Sequence, residues 1–296
     1  MRLLFSLSVS FLFFSCQSQP VDKSQYNKDS NTLLWEISGN NLSAPSYLYG
    51  TFHLMCKEDI IISENLKKTI SKSKFLYLEM DMDDPANTFG ALLYLNMKGG
   101  KTLKDLYTAE EYSRVEMFFK DSLKMGLAML QKTKPNFLEA MFYPLMMPCK
   151  QMDGVEEELM SLAKKDNKEI KGLETMAFQA SVFDSIPYDE QAKDLLKMMD
   201  SFSVFKKEFT NMLNIYKSQK LNEIEKSFAD EPGFEKNKDL LLDNRNKNWV
   251  IQLKSIMQKD NVFIAVGAGH LVGENGLISL LRKEGYILKP IKNTGK

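Results

Sequence analysis

Val262-Phe263-Ile264-Ala265-Val266-Gly267-Ala268-Gly269-His270, close to the end of a 296-residue chain, decides how the rest is read. An unbroken apolar run of this length reads as a β-strand. A strand needs partners, and the strand-like runs at the two ends of the chain need each other to make a sheet. Far upstream, Tyr47-Leu48-Tyr49 runs into Gly50-Thr51-Phe52-His53 and repeats the same arrangement. In both places a histidine stands three residues after a glycine that closes a strand.

Working outward, Leu33–Ile37 and Tyr47–Gly50 flank a Gly-Asn-Asn turn and read as a hairpin. Phe75–Met80, Lys168–Leu173 and Tyr286–Ile291 are further strand-like runs. Ser63-Glu64 opens a helix to about residue 73, and Thr108-Ala109-Glu110-Glu111 is a capping box that starts another. Pro135 and Asp153 are expected to begin two more, Asp153 as an N-cap. From Ala177 to about Gln258 the period is helical, with breaks near Pro187 and Pro232, and a last helix is expected near residues 275–284. Strands at both ends with helices between give an α/β or α+β fold: one β-sheet, flanking helices and a long, mostly helical middle section. No domain boundary is expected within 31–296, because the terminal strands need each other.

The composition excludes several classes. Lys and Arg number 39 against 39 Asp and Glu, which argues against a nucleic-acid partner. Three cysteines do not make a disulfide scaffold, and two histidines cannot supply three imidazoles to one site. The 18 methionines, with pairs at Met146-Met147 and Met198-Met199, read as filler of helical cores in preference to copper ligands. There is no His-Glu-x-x-His, no Gly-x-Ser-x-Gly elbow and no phosphate loop.

The N-terminus has Arg2, an apolar run from Leu3 to Phe14 and then Ser15-Cys16, the layout of a secretory signal. The cysteine after the cut resembles a bacterial lipoprotein signal, with residues 1–15 removed, lipid on Cys16 and a flexible tether over 16–30. Phe13 and Phe14 are bulkier than usual for such a signal, and plain secretion with a free Cys16 is the alternative. Either way the expected location is extracytoplasmic, and with the lipid it is membrane-anchored. In an oxidising compartment Cys56 and Cys149 are expected to be bridged, the alternative being two buried thiols.

Leu48-Tyr49-Gly50-Thr51-Phe52-His53, the strand ending in Glu79, Gly172-Leu173-Glu174-Thr175, Arg245-Asn246 and Gly267-Ala268-Gly269-His270-Leu271 together resemble the TraB/GumN/Tiki family. That family is related to the erythromycin esterases and ChaN-like proteins. The resemblance covers about Leu33 to Ile291. It implies a mixed α/β fold with both Gly-x-x-His motifs at one cleft, Arg245 near it, and an activity like that of the metal-dependent proteases among the Tiki members. Asp153-Gly154 also resembles a family position.

The residue types fit such chemistry. His53, His270 and Glu79 could ligate a divalent ion such as manganese, cobalt or zinc, with positions left for water and substrate. Glu79 is alternatively a partner of His53. Glu174 is expected as a second carboxylate, ligand or general base, and Arg245 as a stabiliser of an oxyanion or substrate carboxylate. Both carboxylates could equally be solvated strand ends and Arg245 a surface charge. Glu79, Asp81 and Asp83 alternate, but the EF-hand pattern is absent. The expected function is hydrolysis of a peptide or small acyl substrate. The rivals are a binding protein for a metal, a haem-like cofactor or a signalling peptide, and a metal-free esterase with His53 as general base.

Overall fold

The computed structural model describes residues 31–84, 90, 93–229 and 236–295. The signal, Cys16, the tether and Pro232 lie outside the described residues. The strands are β1 (Leu34–Gly39), β2 (Ser46–Thr51), β3 (Met55–Cys56), β4 (Phe75–Met80), β5 (Met152–Asp153), β6 (Glu169–Glu174), β7 (Val262–Gly267) and β8 (Tyr286–Ile291). Six of them form a mixed sheet in the order β6-β4-β7-β2-β1-β8. β6, β4, β7 and β2 are parallel, whereas β1 runs antiparallel to both β2 and β8.

The sequence explains this order. β7 is buried from Val262 to Val266, as the interior strand of a covered parallel sheet must be. The outer strands are the ones that carry charge and proline: Glu169 and Lys171 on β6, Lys289 and Pro290 on β8. Those residues discourage pairing with another chain at an open edge. β1 and β2 form the expected hairpin, turning through Gly39, Asn40 and Asn41 at φ of 88°, 48° and 58°. Asparagine tolerates that left-handed backbone better than other side chains with a Cβ.

The main helices are α1 (Glu64–Lys72), α2 (Ala109–Leu123), α3 (Pro135–Ala140), α4 (Val155–Lys165), α5 (Met176–Asp184), α6 (Tyr188–Asp200), α7 (Phe202–Ser218), α8 (Leu221–Ala229), α9 (Asn244–Lys259) and α10 (Leu277–Lys283). Ser63 caps α1 through its side chain, and Thr108 with Glu111 forms the capping box of α2. α4 packs on β4 and β6 beside α1, while α10 packs against β8 and α9. None of the described helices is long and apolar enough to cross a membrane.

Two apolar cores result. One surrounds the sheet, and the other fills the helical middle section with Phe119, Leu138, Phe142, Leu195 and Met198 among its buried members. The paired methionines are core residues as expected: Met146, Met198 and Met199 belong to the helical core, and Met147 to that of the sheet. Phe209 on α7 touches both cores. It stacks on Tyr143 at 5.5 Å and lies 6.1 Å from Phe52, the neighbour of His53. A buried ion pair, Lys134 Nζ to Asp184 Oδ1 at 2.6 Å, ties the start of α3 to the end of α5.

Cys56 and Cys149 are joined in a disulfide, with Cα atoms 5.8 Å apart. The bridge closes beside the small antiparallel ladder of β3 and β5, where Met55 faces Asp153 and Cys56 faces Met152. Asp153 is therefore a strand residue and not the N-cap of α4. Gly154 takes that position, without a side-chain bond to the helix, while Asp153 pairs with Lys57 at 3.0 Å. Pairing with β3 holds Asp153 extended one residue too early to cap.

Candidate functional site

In open parallel sheets the loops beyond the carboxyl ends of the strands make the ligand crevice. Here four neighbouring parallel strands end together, and each delivers a polar residue to that edge. β2 leads into His53, β4 carries Glu79, β6 ends on Glu174, and β7 leads into the short 3-10 turn that bears His270. The register sets Thr51 beside Gly267 and Met80 beside Glu174, which aligns the ends.

Gly267 marks the point of convergence. Its N–H donates to Glu79 Oε1 at 2.8 Å. A Cβ placed on Gly267 would lie 3.3 Å from Glu79 Oε1, 3.7 Å from His270 Cδ2 and 3.9 Å from His53 Nε2. Two imidazoles and a carboxylate thus border one small space that a side chain here would begin to fill. Its φ is ordinary, so it is the close approach of Glu79, and not the backbone angle, that favours glycine here.

His53 is held from one side. Its Nδ1 lies 2.7 Å from Glu156 Oε1, on the first turn of α4. The N–H of Val155 donates to Phe52 O at 3.1 Å, and a Cβ on Gly154 would come within 2.7 Å of His53 O. Together with the β3/β5 ladder and the disulfide, these contacts fix the His53 loop to the N-terminus of α4. Glu156 is buried, yet the His53 side chain remains 73% open to solvent. The surrounding protein disfavours its charge. The hydrogen bond and charge of Glu156, with the charge of Glu79, outweigh this and raise the His53 pKa to about 9.

His270 is buried and packs against Trp249, ring centroids 4.4 Å apart. Its Nδ1 meets Asn246 Oδ1 at 2.7 Å, while Asn246 Nδ2 donates to Asn275 O at 2.9 Å. The second bond orients the amide so that its oxygen faces the ring, which places the imidazole proton on Nδ1. Nε2 then carries the lone pair and accepts from Arg245 Nη1 at 3.2 Å. Burial, reinforced by the charges of Arg245 and His53 and opposed by Glu79, lowers the His270 pKa to about 3. This imidazole is neutral at physiological pH.

Arg245 connects the remaining groups. It donates from Nη2 to Glu79 Oε2 at 2.6 Å and to Glu174 Oε2 at 2.8 Å, and from Nε to both Glu174 oxygens at 3.1 Å. Its Nη1 also reaches Leu241 O at 3.0 Å, in the π-helical turn Asp239–Asp243 that precedes α9. Such turns often accompany functional residues. The guanidinium lies 4.8 Å above Trp249. Gln179 on α5 donates to Glu79 Oε2 and Glu174 Oε2, at 3.3 Å each. Burial opposes the charge of Glu79, but His270, Arg245, His53 and the Gly267 N–H hold its carboxyl down at about 2.

The structure therefore brings together His53, Glu79, Glu174, Arg245 and His270, and Arg245 is a buried member of the cluster, not a surface charge. Sequence reasoning missed Glu156 and Gln179, and quoted Asn246 without a role. Glu156 stands in the run Glu156-Glu157-Glu158, which reads as ordinary acidic first-turn composition. Nothing local distinguishes the glutamate that reaches a histidine 103 positions away.

As metal donors, both imidazoles have their Nδ1 held by a protein oxygen and Nε2 directed to the cleft, the usual setting of a ligating histidine. Glu79 adds a carboxylate, so the donor chemistry fits a borderline or hard divalent ion. Among the described residues only Cys56, Glu58 and Cys149 bring three such ligand atoms within 4.8 Å of one another. There the two sulfurs are bonded to each other and offer no thiolate. The His53, Glu79 and His270 set is more open and would have to close on an ion.

The sequence pattern of the TraB/PrgY/gumN family matches residues 33–290. The zebrafish (Danio rerio) proteins named Metalloprotease TIKI1 and Metalloprotease TIKI2 are 24% and 20% identical, over 87% and 90% of this chain. A Xenopus tropicalis Metalloprotease TIKI2 is 32% identical over 33% of the chain and 19% of its own length. The chain spans 63% and 62% of the length of the two zebrafish relatives. No solved structure matches.

Proposed function

The chain belongs to the TraB/PrgY/gumN family, and from that premise we propose that it is a divalent-metal-dependent hydrolase of peptide or similar acyl bonds. The observation that carries this reading is the convergence of His53 Nε2, His270 and Glu79 on the space beside Gly267. The relatives named metalloproteases supply the reaction class.

In this reading His53, Glu79 and His270 hold the ion. When bound, it would lower the pKa of water toward neutrality and polarise the scissile carbonyl. The chain's own groups do the rest. Glu156 accepts the Nδ1–H of His53 and fixes the ring, so the proton that His53 carries on Nε2 would have to be displaced before that nitrogen could ligate. Asn246 accepts from Nδ1 of the neutral His270, whose Nε2 already has its lone pair. Glu174 is the carboxylate left for proton transfer, with Gln179 and Arg245 fixing its orientation. Arg245, already beside both carboxylates, is placed to steady negative charge developing on the substrate.

Export and lipid attachment at Cys16 belong to the same proposal. The charge, apolar run and cysteine at the N-terminus support them, as does a disulfide, which persists in oxidising compartments. Mass spectrometry of the membrane-extracted protein should find acyl chains on Cys16; an unmodified N-terminus would refute the anchor.

Metal analysis of the purified protein should give about one divalent ion per chain, as a structural or catalytic site requires. His53→Ala and His270→Ala should each remove most of it and abolish cleavage of a peptide library. Equal metal content in the double variant would end the metal reading. A second reading draws on the 2.7 Å contact of His53 with Glu156, the pairing of a general base with its orienting carboxylate. Cleavage that survives exhaustive chelation but not Glu156→Gln would favour it.

A further inference from the structure

The space between Glu79 and His270 is already claimed by a cation of the protein's own. The Nε2 lone pair of His270 accepts from Arg245 Nη1 at 3.2 Å, and Glu79 Oε2 accepts from Nη2 at 2.6 Å. An imidazole with its proton on Nδ1 has a single lone pair in the ring plane. That pair can meet an N–H or a metal ion, but not both.

We propose that Arg245 is a built-in placeholder for the divalent ion, and that loading the site requires it to release His270; the proposal rests on the metal reading above. Without an ion, Glu79 and Glu174 are two buried carboxylates within reach of one guanidinium, with side chains only 14% and 5% exposed. Without a cation between them the two carboxylates would repel each other. The Arg245 fork bridges the two carboxylates and donates to His270 Nε2. Four of its hydrogen bonds do not involve the ion's ligands: Nε to both Glu174 oxygens, Nη2 to Glu174 Oε2, and Nη1 to Leu241 O. These give the guanidinium a place to stay once it lets go of His270 and shares Glu79.

Arg245 therefore opposes metal binding while stabilising the ion-free site, a combination that a purely structural or purely catalytic arginine would not show. The test is direct binding of Mn2+ or Co2+ to chelator-treated full-length protein, by calorimetry and by the visible spectrum of Co2+. Arg245→Gln removes both charge and fork. Arg245→Lys keeps the charge but cannot span Glu174 and His270 together. Both variants should bind the ion about tenfold more tightly or better, the scale of one charge-assisted hydrogen bond that no longer has to break. Both should be less stable than wild type to urea without the ion.

Tightening in Arg245→Gln alone would reduce the effect to net charge and overturn the placeholder. Equal or weaker binding in both variants, with the wild type still binding through His53, would overturn it and leave the metal site standing. No binding by any of the proteins would overturn both. Should neither variant fold, the guanidinium protons of the wild type give the answer by exchange: slow without the ion and faster with it. Unchanged exchange would refute the proposal.

Discussion

The two histidines come from the same strand-Gly-x-x-His device on adjacent parallel strands, yet they hold opposite states. His53 faces water, is paired to the carboxylate of Glu156 and keeps its proton up to about pH 9. His270 is buried under Trp249, is paired to the amide of Asn246 and stays neutral down to about pH 3. The motif places an imidazole at the cleft. The oxygen behind Nδ1 and the depth of burial decide what that imidazole is. A charged acceptor stabilises imidazolium; a neutral acceptor in an apolar wall excludes it.

The contrast can be broken most forcefully at the fastening of the His53 side. Replacing Cys56 and Cys149 together by serine opens a loop closed over 93 residues and should cost about 2–5 kcal/mol in chemical denaturation. It should also loosen His53 from Glu156 while His270, held by α9, keeps its NMR environment. Equal disturbance of both rings would show that the two sides are not held separately.

The pH dependence of stability without metal should divide between the two rings. His270 has a folded pKa of about 3 against an ordinary 6.5, so its contribution is whole above about pH 6.5 and is lost as pH falls toward 3. His53 has a folded pKa of about 9, so its contribution is whole below about 6.5 and is lost as pH rises through 9. The alkaline loss should be the shallower, because His53 stands in water that screens its pairing. Unfolding midpoints should flatten on the acid side in His270→Gln and on the alkaline side in His53→Gln. Glu79, with its carboxyl near 2, leaves a residual acid slope in the first variant.

The smallest change sharpens the comparison most. Glu156→Gln makes the acceptor behind His53 an amide, as it already is behind His270. The His53 pKa should fall from about 9 toward its ordinary 6.5 in an NMR titration, with His270 unaffected. An unchanged His53 titration would mean that Glu156 is not what holds its proton.

Much of this was legible in the sequence, for identifiable reasons. The apolar run Val262–Val266 announces a strand because hydrophobic patterning is local, while its place in the middle of the sheet came only with the fold. Both histidines and Glu79 stand out because a polar residue at the end of an apolar strand needs a purpose. Cys56 and Cys149 were pairable by count and compartment. Glu156, Gln179 and the role of Asn246 were not legible. Each acts through a contact between elements distant in the chain, and each looks locally like a normal helix residue. The misreading of Asp153 has the same origin, since a two-residue ladder with Met55 overrides its preference for a cap.

The position of β7 has a consequence for how the protein comes into being. It is among the last strands in the chain, yet it slots between β2 and β4 in the middle of the parallel region. A chain ending before residue 262 would contain His53, Glu156, Glu79 and Glu174, but with a missing stave between the strands that carry them. Contacts that close over so long a separation form late, because the entropy of the intervening chain must first be overcome. The reactive edge is thus assembled only when nearly the whole polypeptide has been delivered. A half-made molecule has the side chains of the cluster but no place for them to meet.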